Sequence, residues 1–467
     1  MIHTASLGRL GVACAVLAGG LVLAPAPIAH ASDTLEQAII QFGVAAYTLS
    51  TLPNSGNVTA ALAAAAAVPG SADQAHLIYL PSGTVAVSSS IRVADRVYLV
   101  AEADTQVTLV ASADQLLWFP AGVTAGVYGG DWDAQGRGSA SVIATGGARL
   151  SVAKATVRAA GKHGIAGYRG AQVSLSEVTA TANKVDGVHL EASRLTASQL
   201  TSTRNRRNGV QLSGGAVGAI TESVLDENGQ AVTGSTTGKT GHGMGLSSAT
   251  AVLTGTSLSA NKVCGVSTTG SSSLTLTGSH ADRNGRHGLG SSAALKATLT
   301  DTTFVGNGYN GVLATGSGTA LSLTGVQIAN SKQYGISLPS KGAVTLSATS
   351  VTGSGKSNIA ASNKSKVVLR GDNVISAAKA HGLALASRST LSITGTGNRI
   401  DLNASNGLML SDKGTSGRIS ASVGYSGNKG TAVLVRKKAK LWQVAGIYLA
   451  NRRAVATSSG GKIVKLG

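Results

Sequence analysis

The chain has 467 residues, with 39 Lys and Arg against 20 Asp and Glu, a formal balance of +19. Aromatic residues make up 3% and charged residues 13%, while glycine occurs 62 times. Small and β-branched residues dominate, which argues against a helical bundle and for thin, stacked β-structure in one elongated repeat domain or a few ordinary ones.

Residues 1–31 come first in chain order. Arg9 precedes an apolar run from Leu10 to Leu23, and Ala29-His30-Ala31 closes the segment. A basic start, an apolar middle and a small-residue cleavage site predict a secretory signal peptide, with Ser32 as the mature start. The run is too short for a membrane span. Cys14 follows Gly11-Val12-Ala13, a poor lipidation context, and no later stretch is apolar enough to cross a bilayer. The expectation is a secreted protein, extracellular or periplasmic, with no transmembrane segment.

Residues 32–75 are expected to form an N-terminal segment with a capping helix. Val58 to Val68 is alanine-rich, Asn57 stands where an N-cap belongs, and Pro69-Gly70 ends the run. Such a helix covers the first coil of a β rod and protects its open edge. "HLIYLPSGTVAV" (76–87) and "DRVYLVAEADTQVTLV" (95–110) read as irregular opening coils.

From there glycine followed by an aliphatic residue recurs at Gly164, Gly187, Gly209, Gly243, Gly265, Gly288, Gly311, Gly335, Gly382 and Gly407, with Asn358-Ile359 filling the gap. Asn183, Asn205, Asn261, Asn284 and Asn307 keep step four residues earlier; Asn228 and Asn330 follow less tightly. Between the markers, residues alternate as in Val173-Ser174-Leu175-Ser176, the period of a strand with one buried face. Two or three short strands per repeat, closed by Asn and Gly turns, describe one coil of a parallel β-helix spanning 76–467. The turn residues are expected to take left-handed backbone, and stacked Asn side chains to bond along a ladder. "GTAVLVRKKAKLWQVAGIYLA" (430–450) opens the basic C-terminal coils. From Lys413 onward there are eleven Lys and Arg and no carboxylate. That field attracts polyanions, of which an acidic polysaccharide suits an exported protein; no motif for specific nucleic-acid recognition appears. One cysteine, Cys264, remains after the signal segment, so no intramolecular disulfide forms; it occupies a repeat position and is read as structural.

The chain resembles the right-handed parallel β-helix proteins of the pectin-lyase-like superfamily. "LIYLPSGTVAV" is similar to their opening strand and turn, and "YGGDWDAQG" (128–136) to a segment of polygalacturonases. The resemblance implies the handedness and an all-β, single-stranded rod. "KVDGVHL" also resembles a polygalacturonase coil, with Asp186 on its aspartate, and "GHGMGLSS" another, with His242 on its histidine. The paired aspartates between them are replaced by Asn208-Gly209, and no Arg-x-Lys follows near Cys264. Inverting hydrolysis needs a carboxylic acid and a carboxylate base, so glycoside hydrolysis by that route is not expected. "GKHGI" and "NGRHGL" are similar to repeats of mannuronan C5-epimerases, although the Asp-Pro-His of those enzymes is missing.

Stacking turns sequence spacing into geometry. Residues one repeat apart become neighbours about 4.8 Å apart along the rod, so His163, Asp186, Asn208 and His242 form a column. His189, between Val188 and Leu190, is expected to face outward with Gln211 beside it on the next coil. Tyr168, Arg169, Lys184, Arg206 and Arg207 flank the same turns, and the insertion "GQAVTGSTTGK" lies just before His242. Two functions follow. One is a polysaccharide lyase or C5-epimerase: His189 or His163 as base, Asp186 orienting it, Tyr168 as acid, and Arg169 or Arg207 neutralising a sugar carboxylate. Lys184, Asn208, Gln211 and His242 would contact substrate. The other is a non-catalytic secreted or surface β-helix that binds polymer. No cofactor and no metal are expected, because no aspartate cluster of the calcium-dependent pectate lyase kind is visible.

Overall fold

A computed structural model describes residues 28–229, 240–443 and 446–466. The expected signal peptide therefore lies mostly outside the described residues, as does the insertion from residue 230 to 239.

The alternation read from sequence becomes a three-faced rod. One coil runs Gln172–Ser176 on the first face, Thr179–Thr181 on the second and Val188–Glu191 on the third. The next coil pairs with it in parallel and in register: Val173 with Leu195, Ala180 with Ser202, Val188 with Val210. Among the described residues the first face carries 18 strands and the third 16; the second is two sets of seven. Single bridges through Val224, Ser257 and His280 join those two sets. Every second side chain points inward. In Gln172–Ser176, Val173 and Leu175 are buried while Gln172 and Ser174 are not. One continuous apolar core of Val, Leu, Ile and Ala fills the rod from Leu52 to Leu441. No coil buries its inner face alone, so each depends on its neighbours.

Asparagine supplies the polar spine. The Oδ1 of Asn205 accepts the backbone N–H of Asn183 at 3.1 Å and its Nδ2 at 2.9 Å. Asn228, Asn261, Asn284 and Asn307 repeat the arrangement coil by coil. A second run joins Asn403, Asn428 and Asn451. Turn glycines such as Gly147, Gly170 and Gly215 take left-handed backbone as expected, but the ladder asparagines do not; there it falls on the residue before each: Ala182, Arg204, Glu227, Ala260 and Arg283, with φ between 52° and 56°. Asn330 is such a residue, at φ 54°, rather than a rung. The repeat glycines are needed for close approach instead. A Cβ on Gly209 would sit 2.7 Å from the carbonyl oxygen of Gly243 on the next coil.

Helix α2, Thr59–Ala67, is the expected capping helix; it buries Leu62 and Ala66 over the first coils. The helix starts one residue later than expected, so Val58, not Asn57, is its N-cap; Asn57 Oδ1 still accepts the N–H of Thr59 at 3.0 Å. Helix α1, Ile28–Phe42, was not foreseen. It lies on the outside of the first face, where Phe42 stacks on Tyr98 with ring centroids 4.6 Å apart. The aromatic outward residues Tyr79, Tyr98 and Tyr128 of the opening coils are the signal for it, since they need a cover. Among the described residues no helix is long and apolar enough to cross a membrane.

Candidate functional site

The residue before each repeat glycine forms one column on the rod, and most of it has a single structural task. Each side chain accepts the backbone N–H of the column residue on the next coil. Asn208 Oδ1 accepts from His242, and His242 Nδ1 from Cys264, both at 3.2 Å. His287 Nδ1 accepts from Asn310 at 3.3 Å, Asn310 Oδ1 from Tyr334 at 3.1 Å, and His381 Nδ1 from Asn406 at 3.2 Å. Asp, Asn and His interchange here because each offers an acceptor at the same reach. Bound this way, these imidazoles use Nδ1 as the acceptor and leave Nε2 to carry the ring proton. Burial holds His287 down at about 4 and also lowers His381.

His163 departs from this rule. Its Nδ1 accepts no backbone N–H from the next coil and instead lies 3.3 Å from Asp186 Oδ2. Asp186 is fully buried and is the hub of the site. Its Oδ1 accepts the Nε–H of Arg207 and the N–H of Asn208, at 3.0 and 3.1 Å. Its Oδ2 accepts from Arg207 Nη2 at 3.0 Å and lies 3.1 Å from His189 Nδ1. Burial alone would raise this carboxyl's pKa. The hydrogen bonds of His163 and His189 and the charge of Arg207 outweigh it and hold the group well below the carboxylate range. Asp186 is thus a fixed anion, not a proton acceptor at neutral pH.

His189 is where the strand alternation put it, half-buried on the outer side of Val188–Glu191 with Gln211 as its neighbour one coil on. The His163 and His189 rings stack with centroids 4.3 Å apart, and Tyr168 lies 5.7 Å from His189. With Nδ1 turned to Asp186, the outward position on His189 is Nε2, the arrangement that fixes a tautomer. In His163, burial outweighs the aspartate and lowers the pKa. Burial, then Glu191 and Asp186, raises that of Tyr168 and keeps its phenol protonated. Asn208 Nδ2 donates to Gln211 Oε1 at 2.8 Å, so these two amides set each other's orientation. Gly245 follows Gln211 on the third face; a Cβ there would lie 2.2 Å from Gln211 Oε1.

The remaining sequence candidates lie apart from this cluster. Arg169 sits at the far end of its strand on an exposed left-handed turn, φ 56°. Lys184 donates to the carbonyl of Gly136 at 3.0 Å. His242 belongs to the acceptor column. Glu191 is a neighbour that sequence reasoning passed over: it is paired with Tyr168 across adjacent coils. Its place two residues after outward-facing His189 was the available signal. Cys264 is buried and its thiol pushed up to about 11, which suits the structural reading. Asp226 is occupied by Ser257 and by the N–H of Ser259.

His163, Asp186 and His189 bring ligand atoms within 4.8 Å of one another, a set that could hold a metal ion. The guanidinium of Arg207 already spans both carboxylate oxygens, so a dication would meet a fixed positive charge and an acceptor in use.

A family model described as the right-handed beta helix region matches residues 163–325 and 290–454, together more than half of the 467 residues. Comparison with curated protein sequences gave no match. Among solved structures, the chain is similar to pectate lyase Pel9A, with 14% identity, 52% of this chain and 69% of that one covered, and a TM-score of 0.41. It is similar to the A-module of the Azotobacter vinelandii mannuronan C-5 epimerase AlgE4, with 14% identity, 88% and 97% covered, and a TM-score of 0.37. It is also similar to the catalytic unit of a GH87 α-1,3-glucanase from Streptomyces thermodiastaticus, with 13% identity, 74% and 67% covered, and a TM-score of 0.42. The coil repeat, the three parallel faces and the family match agree: the chain belongs to the right-handed parallel β-helix family.

Proposed function

We propose that this is a secreted, polysaccharide-active β-helix protein that acts on an acidic, uronic-acid polymer by proton abstraction next to the sugar carboxylate. The observation that carries the reading is His189, turned by buried Asp186 so that Nε2 faces outward beside a protonated Tyr168. His189 Nε2 takes the C5 proton, and the electron pair moves onto the adjacent carboxylate. A cation is needed to steady that charge. Arg207 is the nearest candidate, with its side chain 36% exposed while it grips Asp186. In a lyase, the C4–O bond then breaks as Tyr168 gives its proton to the leaving oxygen. In an epimerase, a proton returns to C5 from the opposite side. His189 and Tyr168 share one face of the rod, so base and acid approach the sugar from the same side, and elimination is the better fit.

The test is incubation of the purified protein with polyuronates, scored for unsaturated ends, reducing ends and C5 configuration. Wild type should form unsaturated ends, and His189→Ala should lose at least about 100-fold of the rate, the usual range for a general base. Turnover unchanged in His189→Ala would refute the assignment. A second reading, a non-catalytic polymer-binding rod, is favoured by the acceptor column: it explains His242, His287 and His381 without any chemistry. Binding without turnover would select it.

A further inference from the structure

The turn that leads from the third face to the first changes character along the rod. Two residues before most first-face strands the backbone is left-handed, the strand Leu295–Thr300 being an exception. In the earlier coils small residues fill this position: Gly147, Gly170, Ala192, Gly215, Ser248 and Gly318. From the coil of Ala343 the same position holds Lys341, Lys364, Arg388, Gly414 and Lys438, where Gly414 follows Lys413, and it returns to glycine at Gly460 before the strand of Lys462. Lys364 and Arg388 both have φ 66°, and Lys438 has 63°. Left-handed backbone crowds the Cβ of any L-residue and costs glycine nothing. Three cations are therefore kept where the fold itself would be better served by glycine, a kind of strain that collects at binding sites.

These side chains are exposed and stand in line. A Cβ on Gly414 would touch Arg388 Cγ, which shows how closely the rungs follow one another. Across five coils they span about 19 Å, one cation per coil at about 4.8 Å. Lys366, Lys440 and Lys462 start the adjoining first-face strands and add to the same edge. Asp412 is the one carboxylate in these turns, 3.8 Å from Lys437. A concavity of about 290 Å³ runs across four of the turns, lined by Lys341, Lys364, Arg388 and Lys413, with Asn363 and Ser387 between them.

We infer that this corner is a holding site for a linear acidic polysaccharide lying along the rod axis. One cation per coil meets an anionic group about every 5 Å, and the amide and hydroxyl between them suit sugar hydroxyls. A nucleic-acid strand fits less well, because its stacked phosphates recur at about 3.4 Å and its bases want aromatic platforms, which this lining lacks. The ladder starts six coils, about 29 Å, beyond Asp186 and on another corner. It does not rest on the reading of His189.

The experiment measures binding of the full chain to polyuronate, a sulfated glycan, a neutral glucan and single-stranded DNA, at low and at physiological salt. The ladder variant is Lys364→Gly/Arg388→Gly/Lys438→Gly. Glycine suits all three backbones, so thermal stability should match or exceed that of wild type. A control, Arg149→Gln/Arg194→Gln/Lys296→Gln, removes the same charge elsewhere. The ladder variant should lose at least tenfold in polyuronate affinity while the control loses less than threefold, and neutral glucan should not bind. Sulfated glycan binding with the same loss supports an anionic-sugar site that does not select its anion. Equal losses in ladder and control, an unaffected ladder variant, or DNA bound more tightly than polyuronate would overturn the proposal.

Discussion

The acceptor column makes its sharpest prediction at His287. This imidazole is 5% exposed, and its Nδ1 accepts the N–H of buried Asn310. Burial first, then the charges of Arg286 and His242, hold its pKa at about 4 against an ordinary 6.5. A histidine kept neutral by the fold contributes stability that is complete above 6.5 and lost as pH falls through 4, because the unfolded chain takes the proton first. The gap amounts to roughly 3 kcal/mol at this coil. His287→Asn keeps an acceptor and removes the titration; His287→Leu removes both and strands the Asn310 amide, at a cost of about 1–3 kcal/mol. Hydrogen exchange at that amide reads the effect locally, which matters in a rod whose coils need not unfold together. At pH 7.5 the Leu variant should lose roughly 10- to 100-fold of its protection there, and the Asn variant little. Between pH 7 and 4 wild type should lose protection that the Asn variant keeps. An Asn310 amide equally protected in the Leu variant and wild type would refute the reasoning, as would an Asn variant with the full acid dependence.

The Asn261 rung accepts from the N–H and the Nδ2 of Asn228 and donates to Leu225 O. Asn261→Ala leaves buried groups unpaired and should cost about 2–4 kcal/mol, read as a lower thermal midpoint. Arg207→Ala removes the charge that opposes a cation at His163, Asp186 and His189. Calorimetry should show no zinc binding to wild type and binding to the variant; the reverse order would show that Arg207 is not the barrier. Cys264, with its thiol near 11 and buried, should resist thiol reagents at pH 8 in the folded protein and react once denaturant is added.

Repetition is what made the fold legible. A repeat glycine, a ladder asparagine and alternating aliphatics recur often enough to fix the register, so His189 and Gln211 are neighbours by counting alone. The cluster of His163, Asp186 and His189 follows from the same counting. Its partner Arg207 was named as a flanking cation, but its grip on Asp186 was not visible, because side-chain direction on an irregular turn is not periodic. Arg169 and Lys184 were grouped with the site for nearness in sequence, whereas one lies at the other end of the strand and the other reaches back to Gly136. Helix α1 escaped notice because its partners, Tyr98 and Tyr128, sit in the opening coils where the repeat is weakest.

A repeating protein hides its functional residues among structural copies of themselves. Histidine before a repeat glycine occurs at His163, His242, His287 and His381, and by type alone the four are equivalent. The last three give Nδ1 to the next coil's backbone, which any Asn could do. His163 does not, and the reason is Asp186: the next column residue is itself an anion, and it draws His163, His189 and Arg207 together instead of extending the ladder. The coil still stacks, because Asp186 passes its own oxygen to the N–H of Asn208. A buried carboxylate facing one guanidinium and two imidazoles is more charge than that hydrogen bond requires, since asparagine satisfies the same N–H elsewhere in the column. The difference between Asp186 and its asparagine counterparts is therefore the measure of what this corner does beyond holding coils together. A chemistry that depends on His189 must fail in Asp186→Asn while the rod remains folded.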